Sequence, residues 1–282
     1  MKILITSVLL FLAIVNKPIL AQEIPRLTYA DHLFTKGKYS KAIEEYERHL
    51  FFYPVNREDS LYAISQIIKS YYMSEDYKNT LSHIESNMVN IKDEHEYFYS
   101  LNNYAGMSYL KLGYPKSAII YFNQNRNEPQ SILLTGIAYI HLHQWNSALK
   151  TFDSLLGCED KAIAGLASKL SQVSKEGKTL KIKKPMIAGA LSLFLPGAGY
   201  VYTEHYQTAL SSLLLNSLLL GTSYELHKNG LKFTGSSAFI LSFGWYIGNI
   251  YGSVKSAIRY NDLTQKIFID ESLQECTYFI KP

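Results

Sequence analysis

Hydrophobic and polar residues follow three different patterns along this 282-residue chain. Lys2 is followed by a short apolar run, Ile3 to Val15, broken only by Thr6 and Ser7. From about residue 26 to 156, apolar positions recur at the three-and-four spacing of amphipathic helices, in pairs separated by short polar turns. Beyond Pro185 the pattern becomes almost continuously apolar. Pro185 to Thr203 carries no charge, Tyr206 to Leu226 carries only Glu225, and Phe233 to Ser253 carries none. The pattern predicts an all-α protein: a solenoid of helical hairpins followed by an α-helical transmembrane hairpin. The expected segments are 1–21, 22–174, 175–184, 185–260 and a tail, 261–282.

Segment 1–21 reads as a secretory signal, with a basic start, a short apolar core and Ala21 before the polar Gln22. As a helix the apolar run would reach only ~20 Å. An uncleaved N-terminal anchor is the alternative. No cysteine follows the run, so a lipoprotein signal is not supported. Export would place Cys158 and Cys276, the only cysteines, where oxidation can occur. They are far apart in sequence, and two free thiols are expected.

Within 22–174 one phrase recurs. It reads Gly37-Lys38-Tyr39-Ser40-Lys41-Ala42, then Asp76-Tyr77-Lys78-Asn79-Thr80, then Gly113-Tyr114-Pro115-Lys116-Ser117-Ala118, then Gln144-Trp145-Asn146-Ser147-Ala148. Tyr46, Ile84, Phe122 and Phe152 each follow four residues after the small position. A turn ends one helix, a small residue lets the second approach, and the bulky residue fills the gap one turn later. Twelve residues before each small position stand Ala30, Ile68, Gly106 and Gly136. Lys161 to Val173 is amphipathic and would cap the stack.

This half of the chain resembles the tetratricopeptide repeat family, on Ala30, Gly37, Tyr39, Ala42, Tyr46 and Pro54, on Gly106, Tyr109, Gly113, Ala118 and Phe122, and on Gly136, Tyr139, Ala148 and Phe152. The second copy departs most, with Ile68 and Thr80. The resemblance implies a groove along the first helix of each pair that binds segments of partner proteins. Its slots fall on Asp31, Phe34, Lys69, Tyr72, Asn103, Met107, Leu110, Lys111, Ile137 and His141.

Segment 175–184 is a basic hinge, Lys175, Lys178, Lys181, Lys183 and Lys184 against Glu176 alone. The chain's net charge is +4, but 22–174 holds 15 basic and 17 acidic residues and 185–282 holds six of each. The mature chain's positive excess is therefore in the hinge. Beside an apolar segment, such lysines read as lipid headgroup contacts. A plain solvated linker is the alternative. No arginine or aromatic is interleaved, so a nucleic-acid partner is not expected.

In 185–260, two stretches of 21 residues would each reach ~31 Å as helices, enough for a ~30 Å hydrocarbon core. The stretch before them is interrupted at Pro196-Gly197, and its half-helix is expected to be re-entrant or interfacial. Ser192, Pro196, Gly197, Gly199 and Tyr202 form an S-x-x-x-P-G-x-G-x-x-Y string. It is similar to the opening motif of a family of small bacterial membrane hairpin domains, a resemblance that implies topology more than activity.

Gly244, Gly248, Gly252 and Ser256 recur every four residues, a flat face for close helix contact. Ala209, Ser212, Asn216 and Ser223 share a face of the preceding helix. The expectation is that these faces meet inside the hairpin. The rival is homo-oligomerisation through the glycine face.

Composition adds little. Mean hydropathy is −0.06 and 18% of residues are charged, averages over two unlike halves. The 23 tyrosines fit repeat packing slots and membrane boundaries. No hydrolase, zinc or nucleotide motif appears, and no metal, cofactor or catalysis is expected. The functional expectation is a membrane-anchored scaffold in the inner membrane of a bacterial envelope, its repeats in the periplasm and binding an envelope protein. That orientation puts the lysine hinge outside, against the positive-inside tendency. The alternative is a membrane-embedded enzyme or lipid-handling unit using Asn216, Tyr202, Glu225 and Arg259.

Overall fold

The computed structural model describes residues 27–53, 57–88, 96–125 and 127–274. Segment 1–21, Pro54 and Cys276 lie outside them. No strand occurs among the described residues. The helices are α1 (Thr28–Thr35), α2 (Tyr39–Phe52), α3 (Arg57–Met73), α4 (Tyr77–Met88), α5 (Glu96–Lys111), α6 (Pro115–Phe122), α7 (Pro129–His141), α8 (Trp145–Asp153) and α9 (Lys161–Lys178). They continue as α10 (Pro185–Phe194), α11 (Ala198–Tyr202), α12 (Tyr206–Lys228) and α13 (Lys232–Gln274). The chain divides into two compact units, one to Ala138 and one from Tyr139 to Lys281.

The recurring phrase produces a recurring turn. Gly37, Glu75, Gly113 and His143 have φ of 71°, 63°, 82° and 56°, so each pair of helices is joined through one left-handed residue. At each, the next amide donates five residues back: Lys38 to Leu33 O, Asp76 to Tyr71 O, Tyr114 to Tyr109 O and Gln144 to Tyr139 O. This is the helix-ending pattern that satisfies the last free carbonyls. Glycine adopts it freely; Glu75 and His143 hold it without that freedom.

Five residues beyond each turn stand Ala42, Thr80, Ala118 and Ala148, all fully buried. Thr80 fits because its hydroxyl donates to Asp76 O at 2.8 Å. Tyr46, Ile84, Phe122 and Phe152, one helical turn later, are buried as completely. The first unit is thus a helical-repeat fold, with α1 on α2, α2 on α3, α3 on α4 and α5, and α5 on α6. Gly106 of α5 faces Phe122 so closely that a methyl group there would overlap the ring.

In the second unit α9 starts at Asp160, whose carboxylate accepts from the Ala162 and Ile163 amides at 2.8 and 3.1 Å. That is a side-chain N-cap. The helix extends past Val173 to Lys178, correcting the expected 175–184 hinge: its first four residues are helical, and Gly177 is buried against Trp145. Beyond them Lys183 is anchored. Asn261 accepts from the Lys183 amide and donates to its carbonyl, both at 2.7 Å.

The expected tail is corrected too. Helix α13 runs unbroken for 43 residues, to Gln274. Beyond residue 260 it buries Ile269 and sets Phe268 against Trp145, with ring centroids 5.8 Å apart. Cys158 is a free, half-buried thiol.

Candidate functional site

The expected groove residues of the first unit fall on α1, α3 and α5 and do bridge these helices. Asp31 Oδ1 accepts from the Tyr46 and Tyr62 hydroxyls at 2.6 and 2.9 Å. Burial and the neighbouring carboxylate push the Tyr62 hydroxyl up to about 12, and Tyr46 further in the same direction. Lys69 Nζ lies 5.3 Å from the centroid of the Phe34 ring, a cation–π contact. Tyr72 packs edge-on against Tyr104 at 5.3 Å, and its hydroxyl meets Met107 Sδ at 3.9 Å.

Three expected groove residues are not groove walls. Met107 is buried in the core. Asn103 is buried too, because the turn after α6 pushes Asn125 inward. Asn103 Oδ1 accepts from Ser131 at 2.7 Å and Asn125 at 3.3 Å, and Asn125 also donates to Tyr99 O at 2.7 Å. Ile137 is buried likewise. Lys111 is exposed, and so is His141, which belongs to the second unit. The open face therefore reduces to Asp31, Phe34, Lys69, Tyr72, Leu110 and Lys111.

The second unit has inverted polarity. Helices α12 and α13 meet along Ala209, Ser212, Asn216 and Ser223 on one side and Gly235, Ser242 and Asn249 on the other, all buried. Ser212 donates to Asn249 Oδ1, and Asn216 donates to Ser212 O at 2.7 Å. Ser223 donates to Gly235 O at 3.0 Å. At one end the Thr203 and Ser256 hydroxyls lie 2.7 Å apart, with His205 Nδ1 3.1 Å from Ser256. The outward faces carry Leu210, Leu214, Leu218, Phe239, Leu241 and Phe243, each more than half exposed. No helix among the described residues is long and apolar enough to cross a membrane. The serines and asparagines of the seam lower the mean hydropathy that the outward leucines and phenylalanines raise.

This corrects the expected pairing of faces. The seam of α12 is the polar set anticipated, but its partner is not the four-residue glycine series. It is Gly235, Ser242 and Asn249, seven apart, a spacing that returns to the same helix face every second turn. Gly244 and Gly248 sit to one side, exposed, with open space where a side chain would be. Gly252 differs: it faces the Tyr200 hydroxyl.

The S-x-x-x-P-G-x-G-x-x-Y residues build a return. Helix α10 ends at Phe194. Gly197, at φ 93°, turns the chain against the backbone of Ala209, where a Cβ would collide with a carbonyl. Gly199 is enclosed by Ala188 O, Ser192 and Ser253, and its amide donates to Ser192 Oγ at 3.0 Å. Ser253 donates to Ala188 O at 3.2 Å. Pro196 stands in this bend, and Tyr202 closes it: its hydroxyl accepts from the Lys184 amide at 3.0 Å. Lys183 Nζ pairs with Glu204 at 3.0 Å and lies 5.2 and 5.1 Å from the Tyr202 and Tyr260 rings. The ion pair holds Glu204 below and Lys183 above their ordinary values. Segment 185–204 therefore begins and ends at the same place.

A groove of about 490 Å³ opens beside the seam. Tyr200, Thr208, Ser211, Ser212 and Asn249 line its polar part, and Leu215, Gly244, Trp245 and Gly248 its apolar part. Asn249 Nδ2 and Asn216 Oδ1 are buried with no hydrogen-bond partner. The residues named for the alternative reading are dispersed: Asn216 in the seam, Glu225 near the α12–α13 turn, Tyr202 and Arg259 towards the other end. No group of three metal-binding side chains occurs among the described residues.

No family model and no curated protein sequence matches this chain. Among solved structures, a tetratricopeptide repeat protein from Parabacteroides merdae is similar over 83% of this chain and 98% of that one, at 14% identity and a TM-score of 0.45. The repeated turns and buried small positions, rather than that likeness, carry the assignment of a helical-repeat fold.

Proposed function

We propose that this protein is a membrane-anchored, non-catalytic scaffold of the bacterial envelope. Its second unit sits in a bilayer through α10–α13, and its first unit binds a segment of a partner protein across α1, α3 and α5. The observation that carries the membrane reading is the inverted polarity of the hairpin. In water, exposed leucine and phenylalanine faces around a serine–asparagine interior are a liability. In lipid the same arrangement puts the seam's polar groups inside and turns a mainly apolar surface outward.

Helix α12, with 23 residues, reaches ~34 Å, enough for a ~30 Å core. Because 185–204 returns to its start, this reading has two crossings, with both ends of the module on one side. The exposed Lys175, Lys178, Lys181 and Lys184 then face headgroups, each contributing ~1 kcal/mol on an anionic surface. The export signal expected at 1–21 places the repeats in the periplasm and the module in the inner membrane.

The test uses the full chain. It should stay in the membrane pellet after alkaline carbonate extraction. Single cysteines at Asn229 and Lys266, in a chain freed of its natural cysteines, should be labelled from opposite sides. Recovery in the supernatant, or labelling of both from one side, overturns the membrane reading. For the partner, a photocrosslinker at Lys111 should capture an envelope protein, and Lys69→Glu should abolish capture while Lys41→Glu on α2 does not. Capture insensitive to Lys69→Glu overturns the binding face.

A further inference from the structure

We infer that the groove beside the α12–α13 seam holds one acyl chain of a glycerolipid, with its ester end at the exposed Thr208 and Ser211. This rests on the reading that the second unit lies in a bilayer, and goes beyond it by giving the module a lipid-binding site.

The polarity of the lining is graded. Thr208, Ser211 and Ser212 lie within the first two turns of α12, next to the end marked by Glu204 and His205. Leu215, Trp245 and Gly244 lie deeper, Leu215 about 13 Å along the helix from its start. A glycerolipid has the same gradient, esters near the surface and hydrocarbon below. No charged residue lines the groove, so a phosphate headgroup is not what it selects.

Thr208 is exposed at the polar end, and its hydroxyl can donate to an ester carbonyl entering the groove. The floor is open as well: a Cβ at Gly244 or Gly248 would meet nothing within 4 Å. A second helix would need close backbone approach to those glycines. Trp245, half exposed beside them, obstructs a helix more than it does a slim chain.

The test places the full chain in phosphatidylcholine vesicles containing a phosphatidylcholine with a diazirine on one acyl chain. Flotation with the vesicles is scored first, and crosslinks are then mapped by mass spectrometry. Labels should concentrate on Leu215 and Trp245. Gly248→Leu should remove them, and Gly221→Leu, equally open but outside the groove, should not. An ether-linked analogue without ester carbonyls should label about fivefold less, the worth of one hydrogen bond.

Even labelling along the outward faces, indifferent to Gly248→Leu, overturns the site while leaving the membrane reading intact. Loss of a dimer in Gly248→Leu with labelling unchanged also overturns it and makes a second copy the occupant. Failure to float overturns both.

Discussion

Phe268 stands edge-on to Trp145 across the second unit, and Gly177 packs against the same indole. One tryptophan thus ties α8, α9 and the far end of α13 together. Phe268→Ala should cost about 1 kcal/mol from the ring pair alone. Gly177→Ala, whose methyl would come within 2.5 Å of the indole, should cost more. Thermal melting in detergent reads both. In a Trp245→Phe background the emission of Trp145 should also shift to the red in Phe268→Ala. Unchanged melting and emission would show that the contact carries no stability.

Gly106→Ala should destabilise the first unit by ~1–3 kcal/mol, because the enclosed Phe122 ring has nowhere to move. Gly165→Ala on the open side of α9 should instead stabilise, by up to ~1 kcal/mol, since alanine favours helix and nothing is displaced. Chemical denaturation of the two variants should move in opposite directions.

The Tyr62 hydroxyl, raised from 10.0 to about 12 in the folded chain, makes the first unit sensitive to alkali. Its contribution is complete below pH 10, where folded and unfolded chains are both protonated. It is lost as pH rises towards 12, because only the unfolded chain gives up the proton. Circular dichroism should show helix loss over that range. Tyr62→Phe should make the dependence less steep, the other raised tyrosines such as Tyr46 keeping the rest, and an equally steep curve in the variant would sink this assignment.

Gly199→Ala should prevent the second unit from forming, since the added methyl strikes the Ala188 carbonyl. Gly244→Ala should be silent in folding. Fluorescence-detected size exclusion separates the two: a monodisperse peak for Gly244→Ala and aggregate for Gly199→Ala. A monodisperse Gly199→Ala protein would refute the close approach.

The repeats were legible because a small residue and a bulky one, fixed relative to a turn, are what two close helices require: Ala42 with Tyr46, Ala118 with Phe122. The left-handed residues at Glu75 and His143 were not, because neither residue type signals that conformation. Asn103 and Met107 look like groove residues by slot number. They are buried because Asn125 and Tyr72 reach them, contacts that depend on turn lengths outside the repeat pattern. In the second unit Asn216 and Ser212 announced the inner face of α12. The conspicuous glycines every four residues masked the quieter seven-residue series Gly235, Ser242, Asn249 that meets it.

The unbroken α13 sets an order of events during synthesis. Trp145 emerges from the ribosome more than a hundred residues before Phe268, and until then its indole lacks one wall. Contacts this distant in sequence form late. The second unit therefore closes only when the far turns of its last helix have been made, and a nascent chain paused before Phe268 leaves one side of Trp145 uncovered.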